Sequence, residues 1–222
     1  MRVAGGVPCL LLASGNRAKR DELHRLTRNL PWRIVAPAEI GPSSPRVAET
    51  GATFKENAVL KALAVERAAR VLGHDLWVLA DDSGLMVDAL GGAPGVRSAR
   101  FAGEEIPADQ RDRANVALLL SRLRQVPEAQ RTARFLCVLA VAHRGSLLFT
   151  EEGRVEGRIL SRPRGTGGFG YDPVFYHPSS RATFAELHPE EKARVSHRGQ
   201  ALARLARRLE RAPPAPPGLP RS

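Results

Sequence analysis

The chain has 222 residues, 43% of them hydrophobic, and a formal net charge of +11. That size and apolar content suit one large domain or two small lobes around a true core, and no run approaches the ~20 apolar residues of a membrane-spanning helix. The charge suggests a polyanionic partner, but its distribution and an aromatic content of 5% disfavour a nucleic-acid-binding protein, which would cluster Arg among stacking aromatics. Of the 34 Lys and Arg residues only Lys19, Lys55, Lys61 and Lys192 are lysine. Where Arg is the default cation, a retained Lys marks a place that needs a compact point charge.

At the N-terminus Gly5, Gly6 and Pro8 interrupt the apolar run, so "CLLLAS" (9–14) is expected to be a buried strand rather than a signal peptide. Cys9 and Cys137 both lie in apolar strand-like runs and read as buried thiols of a reducing compartment, hence a cytoplasmic protein. Gly15 and Asn16 form a turn, and 17–30 has Leu23, Leu26 and Leu30 at helical spacing. The first N–H groups of such a helix attract anions, with Ser14 and Asn16 as neutral donors and Lys19 as charge. An ordinary strand-to-helix turn with an Asn cap is the competing reading. The spacing is not that of a Walker A loop.

"WRIVAP" is a second short strand, followed by a loop with two prolines. "TFKENAVLKALAVERAARVLG" is the clearest helix, with Thr53 as N-cap, Glu56 as capping-box partner and Gly73 as terminator. Asn57 and Lys61 share a face of it. Glu49, just before this helix, has no such local explanation and is the better metal-ligand candidate. Lys61 suits a phosphate, an acid or plain solvent. "LWVLADD" predicts a buried strand ending in Asp81 and Asp82, whose side chains should face opposite sides and have different tasks. A carboxylate there suits Mg²⁺ or the activation of water, and a polar turn is the alternative.

A short strand or turn and a Gly-rich loop follow, then an amphipathic helix over 109–126 and two or three antiparallel strands over 133–160, turning near Arg144–Gly145. The stretch "RGTGGFGYDPVF" (164–175) invites comparison with a phosphate cradle. Because 14–19 is the better phosphate site, its glycines are expected instead to admit a planar base beside Phe169. "EEKARVSHRGQ" supplies Lys192, Ser196, His197 and Arg198, several hydrogen-bond donors in one region. One or two helices close the fold at about 211, and the Pro-rich tail 212–222 is expected to be disordered. Early strand–helix alternation and a later meander predict an α/β fold. Its mixed central sheet is flanked by helices, in two lobes with a substrate cleft between them.

Taken in order, "ASGNRAK", "ETGATFKENA.LKA", "ADDSGL.VDALGGAPGV.SARF", "GTGGFGYDP.F" and "EEKARVSHRG" resemble the inosine triphosphate pyrophosphatase family, spanning residues 10 to about 210. The family's usual Thr in the first motif is Ser14 here, which keeps the hydroxyl. The resemblance implies a homodimer that uses Mg²⁺ to hydrolyse deaminated purine nucleoside triphosphates (ITP, dITP, XTP) to monophosphate and pyrophosphate. It implies no membrane and no stable nucleic-acid partner. A pyrophosphatase of related fold acting on other modified nucleotides is the alternative. Carried over by motif, Ser14, Gly15, Asn16, Lys19 and Lys61 hold the triphosphate. Glu49 and Asp82 hold the metal, Asp82 activates the water, Asp81 supports them and Ser83 binds substrate. Phe169, Gly170, Tyr171 and Asp172 face base and ribose, and Lys192, His197 and Arg198 complete the base pocket.

Overall fold

The computed structural model describes residues 9–14, 16–27, 32–36, 45 and 47–211. Gly15 and the Pro-rich tail therefore lie outside the described residues, as does the predicted continuation of the first helix to Leu30.

The fold is α/β. Among the described residues, β1 (Cys9–Ala13), β2 (Arg33–Val35), β3 (Trp77–Val87), β4 (Thr132–His143), β5 (Ser146–Ile159), β6 (Phe175–His177) and β7 (Ala182–Thr183) form one sheet in the order β2-β1-β3-β4-β5-β6-β7. The sheet is mixed. β1 runs parallel to β2 and β3, with Leu11 opposite Val35 and Val78, while β5–β6 and β6–β7 are antiparallel. The "CLLLA" strand is buried at every position, as a parallel strand covered on both faces must be. The helices are α1 (Arg17–Thr27), α2 (Phe54–Val71), α3 (Ala108–Arg122), α4 (Pro189–Val195) and α5 (His197–Arg211).

The chain divides into two compact units, and the divisions fall inside β3 after Asp82, inside β4 after Cys137, inside β5 after Glu152 and after Gln200, within the last helix. The first unit holds the described residues up to Asp82, Val138–Glu152 and the residues from Ala201 on. Its core contains Leu10, Leu11, Leu12, Leu23, Ala58, Ala62, Val78, Leu79, Leu139, Val141 and Leu205, each no more than 1% exposed. α2 starts where its sequence says. The Thr53 hydroxyl accepts the Glu56 N–H, the Glu56 carboxylate accepts the Thr53 N–H, and Gly73 turns the chain with φ +84°. The β4–β5 turn has positive φ at Arg144 and Gly145, the pattern of a type I′ hairpin turn.

The second unit comprises Ser83–Cys137 and Gly153–Gln200. Leu85, Val87, Leu119, Leu123, Phe135, Ile159, Tyr171, Val174, Phe175 and Phe184 form its core. The rings of Phe135, Phe175 and Phe184 pack at centroid distances of 4.6–5.9 Å, within the range of favourable aromatic pairs. Two differences from the sequence reading matter. β3 does not end at the acids but runs through "DDSG" to Val87. The strands β6 and β7 were not expected, since at three and two residues they are set by pairing with their neighbours rather than by local pattern.

Candidate functional site

In the first unit the site is built on β1, β3 and the starts of two helices. Ser14 follows β1, and Asn16 caps α1 by accepting the Lys19 N–H at 3.1 Å. The Ser14 hydroxyl accepts the Asn16 N–H at 3.4 Å. Lys19 on α1's first turn reaches Asp81 instead of open solvent, with Nζ 2.8 Å from Oδ1 of a fully buried carboxylate. The neighbouring acid, Asp82, is taken by α2. Lys61 Nζ lies 2.8 Å from Asp82 Oδ1 and 3.3 Å from Glu49 Oε1. Adjacent strand residues thus meet lysines from different helices, as the alternation of a strand requires.

The loop that presents Glu49 is tied to α2 through Asn57, a fully buried side chain whose Oδ1 accepts the Gly51 N–H at 2.8 Å. A Cβ at Gly51 would come within 2.7 Å of Glu56 Cβ and 2.8 Å of Asn57 Oδ1, so the close approach needs glycine.

The electrostatics of this group are lopsided. Burial works against the Lys61 charge, but Asp82, Glu49 and Asp81 outweigh it and hold the ammonium's pKa above its ordinary 10.5. Burial also dominates at Asp82 and pushes its carboxyl above the ordinary 3.8, against the pull of Lys61 and Lys19 and with the help of Glu49. One Asp82 oxygen is served by Lys61. The other, Oδ2, is buried with no hydrogen-bond partner. The Asp82 and Glu49 carboxylates, which face one ammonium, are a hard-oxygen donor pair that fits a divalent cation such as Mg²⁺. No group of three or more His, Cys, Asp or Glu among the described residues could hold a metal alone.

In the second unit a different set converges. Asp172, 3% exposed, accepts Lys192 Nζ at 2.6 Å and the Phe169 N–H at 2.8 Å, both on Oδ2. Gly168 sits beside that oxygen with φ +72°, and a Cβ there would lie 2.1 Å from it. Lys192 Nζ lies 4.9 Å from the Phe169 ring centroid and the Arg198 guanidinium 5.8 Å, so two cations flank this ring. Arg198, 2% exposed, donates to the Ser83 hydroxyl at 2.8 Å. The imidazole of His197 stacks on Phe135 at 4.7 Å and 9°. Both residues open α5, where the fully buried Ser196 caps the helix by accepting the Gly199 N–H.

Tyr171 stands apart from these groups. Its ring belongs to the core, its hydroxyl donates to the Ser98 carbonyl at 2.9 Å, and burial, with Asp112 adding, pushes its pKa up. Asp112 on α3 escaped the sequence reading. It accepts the Gly170 N–H at 2.7 Å and so pins the glycine stretch. One turn on, Asn115 binds the carbonyls of Ser98 and Ala99 and the N–H of Ala102. A buried Asn within an apolar helix stripe was the available signal for Asn115. Asp112 offered none, because it looks like one more charge in "RDRA".

The comparisons agree with the motif order. Residues 10–208 match the model of the Ham1 family. A "dITP/XTP pyrophosphatase" of Desulforamulus reducens is 50% identical, over 91% of this chain and 96% of the relative. The Bacillus subtilis protein of the same name is 44% identical over 90% and 96%. Among solved structures, a HAM1 protein from Coxiella burnetii is 40% identical with a TM-score of 0.80, covering 92% of this chain and all of that one. The Staphylococcus aureus Ham1 protein is 37% identical with a TM-score of 0.77, over 91% and 98%. The chain belongs to the Ham1 family.

Proposed function

We propose that this chain hydrolyses deaminated purine nucleoside triphosphates, ITP, dITP and XTP, to the monophosphate and pyrophosphate with Mg²⁺. The observation that carries the chemistry is the buried, partnerless Oδ2 of Asp82 beside Glu49, with lysines on both neighbouring acids. The substrate class is supported by the names of relatives 44–50% identical over at least 90% of this chain.

In this reading the residues around Asp81 and Asp82 handle phosphate, and those around Asp172 handle base and ribose. Glu49 and Asp82 would hold the cation, which would neutralise phosphate oxygens and make a water acidic. Asp82 accepts the proton of the attacking water at Oδ2. Lys19, Lys61, Ser14 and Asn16 stabilise the charge that builds on the departing pyrophosphate. Lys192, His197 and Arg198 are donors for the 6-oxo group of the base. Adenine, with an amine at that position, leaves buried donors facing a donor, a mismatch worth about 10⁴–10⁵-fold. Phe169 offers a stacking face. Tyr171 and Asp172 serve the base by fixing the loop and Lys192.

We further assign the chain a homodimeric, cytoplasmic enzyme, in line with two buried thiols. No helix among the described residues is long and apolar enough to cross a membrane. The deciding assay is pyrophosphate release from ITP, dITP, XTP, GTP and ATP, with and without Mg²⁺. Strong preference for the first three, dependent on Mg²⁺, is the expected result. Equal rates on GTP and ATP would overturn the substrate assignment.

A further inference from the structure

We propose that Lys61 is an internal counter-cation that occupies the Glu49–Asp82 metal site until the triphosphate arrives, so that the divalent cation binds together with the nucleotide rather than before it. The proposal rests on the metal-dependent pyrophosphatase reading above.

Lys61 Nζ bridges the two carboxylates to which the metal is assigned, at 2.8 Å and 3.3 Å, and its side chain is 13% exposed. This ammonium therefore does the cation's task of neutralising one buried and one half-buried acid. Two cations do not share that space. A divalent ion that takes both acids displaces the ammonium, and a displaced, largely buried ammonium needs another anion within reach. The neighbouring acid is already engaged, because Asp81 is held by Lys19 at 2.8 Å. The arriving triphosphate is the anion that accepts Lys61. The swing asks little of the fold. The backbone of Lys61 lies within a capped helix, and its flexible four-carbon stem lets the charge move.

The consequence is a linkage. Metal and polyphosphate each raise the other's affinity by the same factor, and Lys61 is the group through which they couple. Without Lys61, the half-buried Glu49 and the buried Asp82 have no ammonium between them, and the bare protein binds metal tightly.

The test is Mn²⁺ affinity, followed by electron paramagnetic resonance, for the native chain and for Lys61→Met, Lys61→Gln and Lys61→Arg. Thermal melting verifies that each variant is folded. Without nucleotide, Lys61→Met and Lys61→Gln bind Mn²⁺ at least about tenfold more tightly than the native chain, within the usual range of coupling factors. Lys61→Arg stays close to native, and adding Asp82→Asn to Lys61→Met abolishes the gain. A non-hydrolysable α,β-imido analogue of ITP tightens Mn²⁺ binding to the native chain more than to Lys61→Met. Unchanged or weaker Mn²⁺ binding by both neutral variants overturns the proposal, as does an equal effect of the analogue on native and variant chains. These readouts do not depend on turnover. If the native chain releases no pyrophosphate from ITP with Mg²⁺, it is the functional reading beneath the proposal that fails.

Discussion

Lys192→Met separates two roles of one ion pair. Lys192 and Asp172 lie 2.6 Å apart with side chains 9% and 4% exposed. Removing one partner of a buried pair leaves an uncompensated charge and costs about 3–5 kcal/mol. Asp172 also accepts the Phe169 N–H at 2.8 Å. A hydrogen bond to a charged group retains about 1.5–3 kcal/mol, so the expected loss lies at the low end, about 3 kcal/mol. Asp172→Asn in the same chain removes the orphaned charge while keeping an amide oxygen for Phe169. The double variant should therefore recover more than half of the loss, about 1.5–2 kcal/mol, so the two losses do not add. Urea denaturation measures this as a midpoint shift at constant slope. Activity should not follow stability. The double variant regains its fold but not its turnover of ITP, because Lys192 is also assigned to the base. A Lys192→Met loss below about 1 kcal/mol, or losses that simply add, would refute the reasoning that the pair is a buried, coupled charge. Recovery of full ITP turnover in the double variant would remove Lys192 from base recognition.

Three further outcomes are expected. Asp82→Asn keeps a near-native circular dichroism spectrum but loses about 10²–10⁴-fold in turnover, the usual worth of a positioned proton acceptor. Near-native pyrophosphate release by the folded variant would dismiss Asp82 from that role. Because burial raises the Asp82 pKa above 3.8, the folded metal-free chain holds that proton more tightly than the unfolded chain does. Its contribution to stability is thus full below 3.8 and is lost as pH rises through the folded value. Metal must displace the same proton, so Mg²⁺ affinity should rise with pH above 3.8 and then level off, with proton release in calorimetry. An affinity that does not change with pH would contradict this. Gly168→Ala forces a Cβ to within 2.1 Å of Asp172 Oδ2 at a φ of +72°. It should cost about 1–3 kcal/mol and raise KM for ITP more than it lowers kcat. An unchanged KM would mean that the glycine stretch does not shape the base site.

What the sequence could reveal depended on how local each cause is. The capping box of α2 was legible because Thr53 and Glu56 satisfy each other's backbone within one turn. The hairpin turn at Arg144–Gly145 was legible for the same reason. β3 was cut short because two consecutive acids and "SG" read as a strand ending in a turn, yet the strand runs on to Val87. What allows it is not local. Lys19 from α1 and Lys61 from α2 neutralise Asp81 and Asp82 one each, from positions 62 and 21 residues earlier. Tyr171 shows the opposite case. Its place among glycines suggested a ligand contact, but its hydroxyl is used on Ser98, a residue 73 positions away.

The lysines carry the argument one step further. Their scarcity marked four positions as needing a point charge, and in the structure three of them, Lys19, Lys61 and Lys192, make short contacts with buried carboxylates, Asp81, Asp82 and Asp172, while Lys55 is exposed. The family resemblance implied phosphate for the first two and base for the third, whereas the structure holds all three on acids. These readings are compatible if the acids keep the ammonium groups ordered and charged until a ligand claims them. A planar guanidinium, with its broad fork of donors, would hold a carboxylate more permanently and exchange it less readily for a phosphate oxygen. On this view Lys19, Lys61 and Lys192 are retained where a contact with an acid is to be exchanged for one with a ligand.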